Sequence, residues 1–213
     1  MNWLIWSLTC SVGKKVLMAL TGLVFCVFVA VHLLGNLSIY GGRDYFTAYA
    51  EHLHAFGILV NVAEMGLLVF AVLHISLGAI LFFETLRARP NRYVMRKSAG
   101  GRTISSTIMP YTGLYVLMFV VIHLFTFHFV EHTPQNTFQL VAGAFSKPAY
   151  VVFYVFSMVV IGFHVKHGLW SAFQTIGANH PKYMPFIRGA SLIFSLAVGV
   201  GFGSIPVFIV SSL

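Results

Sequence analysis

Histidines set into apolar segments are the residues of this sequence whose chemistry is least expected from their surroundings. The stretch FVVIHLFTFHF, residues 119–129, carries His123 and His128 in an otherwise apolar run. An imidazole is costly to place in hydrocarbon, so an intramembrane histidine is a candidate functional residue. For a single histidine, a hydrogen bond to a neighbouring helix explains the residue as well as ligation of a metal does.

An internal repeat shows that His123 has a counterpart. The segments TGLVFCVFVAVHL, residues 21–33, and TGLYVLMFVVIHL, residues 112–124, agree at seven of thirteen positions, including Thr-Gly-Leu at the start and His-Leu at the end. The third apolar stretch therefore repeats the first, and it places His32 and His123 at equivalent positions.

The repeat continues into the next apolar stretch of each half. LHISLG contains His74 and FHVKHG contains His164, and both segments have a His-x-x-x-Gly pattern. The two histidines of the first half are 42 residues apart and those of the second half are 41 apart. We therefore expect a duplicated helical hairpin in which each copy contributes two histidines.

Helix geometry sorts these four histidines by depth. At a rise of about 1.5 Å per residue, His32 and His123 come late in two helices that run in one direction. His74 and His164 come past the middle of the two helices that return. We call His32 and His123 the outer pair, and His74 and His164 the inner pair.

Two imidazoles that face each other across a helical bundle can clamp a haem iron, and two such pairs would form a path for electrons. Filling both axial positions suits electron transfer rather than oxygen binding. Cys10 and Cys26 form no CxxCH motif, so the haems would be held without covalent attachment, as b-type haems are. Gly35, Gly78 and Gly168 lie within a turn of a ligand, where a missing side chain would admit a flat macrocycle or a closely packed helix.

The elements that position these histidines follow from composition. The 213 residues are 58% hydrophobic and 8% charged, against about 25% charged in soluble domains, and the mean hydropathy is +0.86. We expect an all-α integral membrane protein with one domain over residues 1–213, its spans joined by short loops. Five stretches reach the roughly 20 residues that a crossing needs: about 16–38, 58–86, 108–130, 148–174 and 186–211.

The formal net charge of +8 is explained by topology rather than by binding to nucleic acid. Eleven of the 13 basic residues fall on one side of the predicted spans, and only Arg43 and Lys147 fall on the other. The positive-inside rule then places the N-terminus in the cytoplasm and the C-terminus outside. The basic residues of the inner side are Lys14, Lys15, Arg87, Arg89, Arg92, Arg96, Lys97, Arg102, Lys166, Lys182 and Arg188.

Over essentially its whole length the chain resembles the dihaem cytochrome b subunit of succinate:quinone oxidoreductases and quinol:fumarate reductases, of the five-helix, single-anchor type. The stretches that carry the resemblance are SVGKKVLMALTGL, VHLLGNL, ARPNRY, HLFTFHF and HGLWSAFQTIGANHPKY. The resemblance implies that His32, His74, His123 and His164 are the axial ligands of two b haems. One departure is Gly162, because some members of that family carry a proton-conducting glutamate at this position.

The resemblance also implies partners and a location. A flavoprotein subunit and an iron–sulphur subunit would dock on the cytoplasmic side, and succinate or fumarate chemistry would take place on the flavoprotein. The membrane would be a bacterial cytoplasmic membrane, with a quinone, most simply menaquinone, as the membrane substrate. A dimer of complexes is possible, because Gly199-x-x-x-Gly203 in the last span suits close packing either with a second copy or within its own bundle.

Two carboxylates are candidates for proton transfer at a quinone site near the outer pair. Glu64 lies inside the second span, where we expect it to be buried and to hold its proton, and Glu51 is an exposed alternative. A protonated Glu64 that hydrogen-bonds a neighbouring helix is an equally good explanation. His128 and His132 are expected at the outer surface, whereas His167 lies near the inner pair and could reach haem propionates.

Two other functions fit parts of the pattern. A dihaem cytochrome b that serves a hydrogenase or a formate dehydrogenase would use the same bundle and ligands with different soluble partners. A histidine-lined proton-coupled transporter would use intramembrane histidines as a relay, although a relay does not require two-fold pairing.

Overall fold

The computed structural model describes residues 10–88, 104–131 and 133–212, which are helical apart from short turns and contain no strand. The segment ARPNRY beyond its first residue, the basic residues from Arg89 to Arg102, and His132 lie outside the described residues. Seven α-helices lie within them: α1 Ser11–Asn36, α2 Arg43–Ala55, α3 Ile58–Arg87, α4 Ile104–His123, α5 Thr137–Phe145, α6 Pro148–Thr175 and α7 Met184–Ser212.

Five helical segments of the described chain are long and apolar enough to cross a membrane, which confirms the five predicted spans. They cover Ser11–Gly41, Ile58–Arg87, Ser106–His128, Pro148–Thr175 and Met184–Ser212. A helix satisfies its own backbone hydrogen bonds, and this is why long apolar segments cross a bilayer in this form. The fold is thus an all-α bundle of the multi-pass membrane type.

The outer connections are helices rather than the short loops expected from the sequence. Helix α2 joins α1 to α3 and buries Phe46 and Ala50, while α5 joins α4 to α6. Phe46 packs edge-on against Phe138 of α5 with ring centroids 6.4 Å apart, so the two connecting helices contact each other. Gly42 and Gly57 flank α2 with φ values of 89° and 53°, a backbone conformation that glycine adopts readily.

The four helices that carry the outer and inner pairs are arranged in a ring in the order α1, α3, α4, α6. Packing is extensive between α1 and α3, between α4 and α6, and between α1 and α6, whereas α3 and α4 scarcely touch. Lys14 at the start of α1 and Glu84 near the end of α3 form an ion pair at the inner end of the first hairpin. Because α7 packs on α6 and α1, it closes one side of the ring and leaves the α3–α4 side open.

Small residues bring α6 and α7 close together. A Cβ on Gly199 would lie 3.4 Å from the backbone oxygen of Met158, and a Cβ on Gly162 would lie 3.5 Å from the backbone oxygen of Ser195. Gly199 and Gly203 both lie against Met158 of α6, so this pattern packs within the bundle, as one of the two alternatives expected. Gly162 faces the α7 backbone, so the position of the family's glutamate lies at the α6–α7 contact in this bundle.

Candidate functional site

The outer pair is brought together from α1 and α4, which lie diagonally across the ring. The ring centroids of His32 and His123 are 6.0 Å apart and the ring planes are 86° apart. Two imidazoles bound through nitrogen to opposite sides of one metal, with bonds of about 2 Å, have centroids roughly 6 Å apart. At this separation His32 and His123 could both bind one metal ion placed between them.

Aromatic rings orient the outer pair. His32 stacks on Phe28 with centroids 5.3 Å apart and planes 15° apart, and His123 stacks on Phe119 at 5.7 Å and 26°. Each phenylalanine precedes its histidine by four residues, so the two rings lie on one face of a helix. The internal repeat carries both phenylalanines, and the same local packing is therefore built twice.

The inner pair is held by hydrogen bonds instead. The Nδ1 atom of His74 on α3 lies 2.9 Å from the Thr21 hydroxyl of α1. The Nδ1 atom of His164 on α6 lies 3.2 Å from the Thr112 hydroxyl of α4. Each hairpin therefore fixes one imidazole of the inner pair through a hydrogen bond between its two helices.

A glycine follows each of these threonines and sits against the same imidazole. A Cβ on Gly22 would lie 3.4 Å from Cε1 of His74, and a Cβ on Gly113 would lie 3.3 Å from Cε1 of His164. At these separations an added methyl group would press on the ring. The Thr-Gly dipeptide of the repeat therefore contacts the histidine of the neighbouring helix through both residues.

The glycines near the ligands pack against protein side chains. A Cβ on Gly78 would lie 3.4 Å from Cε of Met18, and a Cβ on Gly168 would lie 3.6 Å from Cε of Met109. Gly35 is covered by the ring of Tyr49. Of the two roles expected for these glycines, close packing of a neighbouring helix is the one that these contacts fit.

The arrangement suits a flat cofactor held by two ligands more than a compact metal cluster. Within the described residues, no group of three or more His, Cys, Asp and Glu side chains is placed to hold a metal ion. A haem needs only one imidazole on each face, and all four histidines are half-buried in the bundle. The sparse contact between α3 and α4 leaves that side of the ring without tight helix packing.

The expected burial of Glu64 is wrong. Glu64 is exposed on α3, a helix without a buried residue, because α3 packs mainly on α1 and turns its other faces outward. Glu51 is exposed on α2, as expected, and accepts a hydrogen bond from Nε2 of Gln135 at 2.7 Å. In the described part of the chain neither carboxylate hydrogen-bonds one of the four histidines.

Of the other histidines singled out in the sequence, His128 and His167 lie within the described residues and differ in environment. His128 is exposed at the end of the third span, as expected. His167 is buried, with its ring 5.1 Å from the Trp170 ring, which in turn lies under the Arg188 guanidinium at 4.9 Å. His167 therefore belongs to an inner cluster of aromatic and cationic side chains.

Sequence reasoning missed Thr21, Thr112, Phe28 and Phe119 as supports of the histidines. All four lie in the repeated segments, so the repeat itself was the signal that could have indicated them.

The chain matches no family model, no curated protein and no solved structure.

Proposed function

We propose that the chain is the membrane-anchor cytochrome b subunit of a succinate dehydrogenase or fumarate reductase complex. It would bind one b haem between His32 and His123 and a second between His74 and His164. It would pass electrons between a membrane quinone, most simply menaquinone, and an iron–sulphur subunit that also contacts a flavoprotein subunit. The observation that carries this proposal is the approach of the His32 and His123 rings to 6.0 Å from two helices that lie diagonally across the bundle.

Haem iron with two imidazole ligands supplies one-electron transfer. The residues of this chain place the imidazoles, restrict their rotation and keep water away from them. Phe28 and Phe119 limit the ring orientations of the outer pair, and Thr21 and Thr112 bind the inner pair. Helix α7 covers the α1–α6 side of the ring, which favours exchange with lipid-soluble partners on the opposite side.

We place the quinone near the outer pair, because the iron–sulphur partner would dock at the basic inner end. Glu64 and Glu51 remain the proposed proton acceptors, now as exposed groups. An open groove of about 530 Å³ also lies on the outer half of the bundle and is lined by Phe125, Gln139, Lys147 and other residues of α4 to α6. Its volume falls in the usual range for small-molecule sites.

Haem content is the direct test of this function. The chain purified with its partners should contain two non-covalent b haems, measured by pyridine haemochrome analysis against protein concentration. Mass spectrometry of the same preparation should identify flavoprotein and iron–sulphur subunits of the succinate dehydrogenase type. A preparation with one haem or none would overturn the proposal.

The competing functions predict other results in the same experiment. Hydrogenase or formate dehydrogenase subunits alongside two haems would assign the chain to the related dihaem cytochromes b. A colourless protein that carries out proton-coupled transport in vesicles would support the transporter alternative. The proposed orientation, with the N-terminus in the cytoplasm, is checked by cysteine labelling from each side of the membrane.

A further inference from the structure

The two threonines of the repeat make the same contact in both hairpins. Thr21 and Thr112 occupy equivalent positions, and each hydroxyl lies within hydrogen-bond distance of Nδ1 on the inner-pair histidine of its own hairpin. Two helices could pack together without such a bond. Its occurrence in both halves indicates that the hydroxyl acts on the imidazole.

The polarity of these bonds follows from the other contacts of each hydroxyl. The Thr21 hydroxyl lies 2.9 Å from the backbone oxygen of Leu17 and 3.0 Å from that of Met18, and the Thr112 hydroxyl lies 3.0 Å from the backbone oxygen of Met109. Carbonyl oxygens can only accept, and a hydroxyl has one hydrogen to donate. When that hydrogen goes to the carbonyl, as is common for threonine in helices, the hydroxyl oxygen accepts from Nδ1–H.

With this polarity, Nδ1 of each inner-pair imidazole carries the proton that the threonine oxygen accepts. A neutral imidazole that carries its proton on Nδ1 has its lone pair on Nε2, and a metal binds at the lone pair.

We propose that Thr21 and Thr112 are positioning residues that hold His74 and His164 in the tautomer whose Nε2 lone pair binds iron. This inference rests on the proposed function, since it concerns the ligands of the inner haem. The adjacent Gly22 and Gly113 let each imidazole approach closely enough for the hydrogen bond to form. In each repeat the threonine thus sets the tautomer of an inner ligand, and the glycine next to it allows the position of that ligand.

The hydrogen bond has an electronic consequence that packing alone lacks. A partner that accepts the second ring N–H makes the imidazole a more basic ligand, and loss of such a partner typically weakens metal binding about 10- to 100-fold. A more basic ligand favours ferric over ferrous iron. Removing the threonine hydroxyl should therefore raise the midpoint potential of the inner haem as well as lower its occupancy.

The test compares Thr21→Val and Thr112→Val with Thr21→Ser and Thr112→Ser in the purified complex. Valine keeps the shape and removes the acceptor, whereas serine keeps the acceptor. Potentiometric titration followed in visible spectra, and low-temperature electron paramagnetic resonance, report each haem separately. We expect the valine variants to raise the potential and shift the resonance of the inner haem only, and the serine variants to resemble the wild type.

Thr85→Val is the matched control for loss of a hydroxyl, because Thr85 on α3 donates to the backbone oxygen of Leu81 at 2.7 Å without contacting a histidine. Gly113→Ala tests the same contact if a valine variant does not fold, and it should shift the inner-haem resonance by displacing His164, whose Cε1 would lie 3.3 Å from the added Cβ. Two haems in the wild type with an unchanged inner haem in the valine variants would overturn this inference alone. A wild type without haem would overturn the proposed function itself.

Discussion

The two histidine pairs are built in different ways although one duplicated hairpin supplies both. Hydrogen bonds to threonine hydroxyls orient the inner pair, and stacking on phenylalanine orients the outer pair. In the outer pair, Nδ1 of His123 is buried without a hydrogen-bond partner among the described residues. The neighbour of Nδ1 in His32 is the Asn36 amide nitrogen at 3.4 Å, a donor that also donates to the His32 carbonyl at 2.8 Å.

The difference separates two ways of preparing a ligand. A hydrogen-bond acceptor at Nδ1 selects one tautomer before any metal binds, whereas stacking restricts the plane of the ring and leaves both tautomers available. Leaving a buried N–H unpaired costs about 1–3 kcal/mol. The inner pair is therefore preorganised by the chain, and the outer pair depends more on what it binds.

Removal of a ligand should have the largest effect and tests whether the pairs are independent. His32→Ala and His123→Ala should each abolish the same outer haem, while His74→Ala and His164→Ala should each abolish the inner one. Each variant should retain a single haem, because a macrocycle with one of its two axial ligands is bound weakly. Haemochrome analysis and redox-resolved spectra measure the loss.

His128→Ala is the control for this series, since His128 is exposed, and it should retain both haems. The division into an outer and an inner pair would be wrong if His32→Ala and His74→Ala removed the same spectral component.

The carboxylates near the outer end should affect turnover rather than haem content. Glu64→Gln, and secondly Glu51→Gln, should lower quinone-linked turnover by about 10²- to 10⁴-fold, the usual contribution of a general base. Both haems should be retained, and the soluble subunits should still reduce fumarate with an artificial donor. A quinol oxidation assay in parallel with that reaction makes the distinction.

Glu84→Gln provides the contrast, because Glu84 lies at the inner end of the same helix as Glu64 and pairs with Lys14. This variant should keep quinone-linked turnover. Full quinol oxidation in both the Glu64 and the Glu51 variants would exclude these two carboxylates as proton acceptors. A quinone site near the inner haem would then be the alternative.

Loss of stacking should have the smallest effect and should be confined to the outer pair. Phe119→Leu removes a buried ring from beside His123. The lost ring–ring interaction, worth about 1 kcal/mol, should leave the His123 ring less firmly oriented. Phe28→Leu should have less effect, because Phe28 is 38% exposed. We expect a shift or broadening of the outer-haem resonance while the inner-haem resonance stays constant.

Phe83→Leu is the matched control, because Phe83 is 56% exposed and its ring packs on Phe82 rather than on a histidine. An equal change in both haems of the Phe119 variant would show that stacking and hydrogen bonding do not divide the two pairs.

Much of the fold and the pairing could be predicted from the sequence. The five spans follow from hydropathy, and the equivalence of His32 and His123 follows from the repeat. The connecting helices α2 and α5 were not predicted, because α2 is short and weakly hydrophobic and its contact with α5 is formed between distant segments. The burial of Glu64 was predicted wrongly, because hydropathy locates a span without indicating which of its faces packs on a neighbour.

The sequence by itself determined how many helices are long and apolar enough to cross a membrane, where each histidine lies along its helix, and which histidines are related by duplication. These properties depend on local composition and on the fixed rise of a helix. Only the tertiary structure decided which side chains support those histidines. Thr21 and His74 are 53 residues apart in sequence, and their hydrogen bond depends on the rotation and approach of two packed helices, which residue spacing along one helix does not specify.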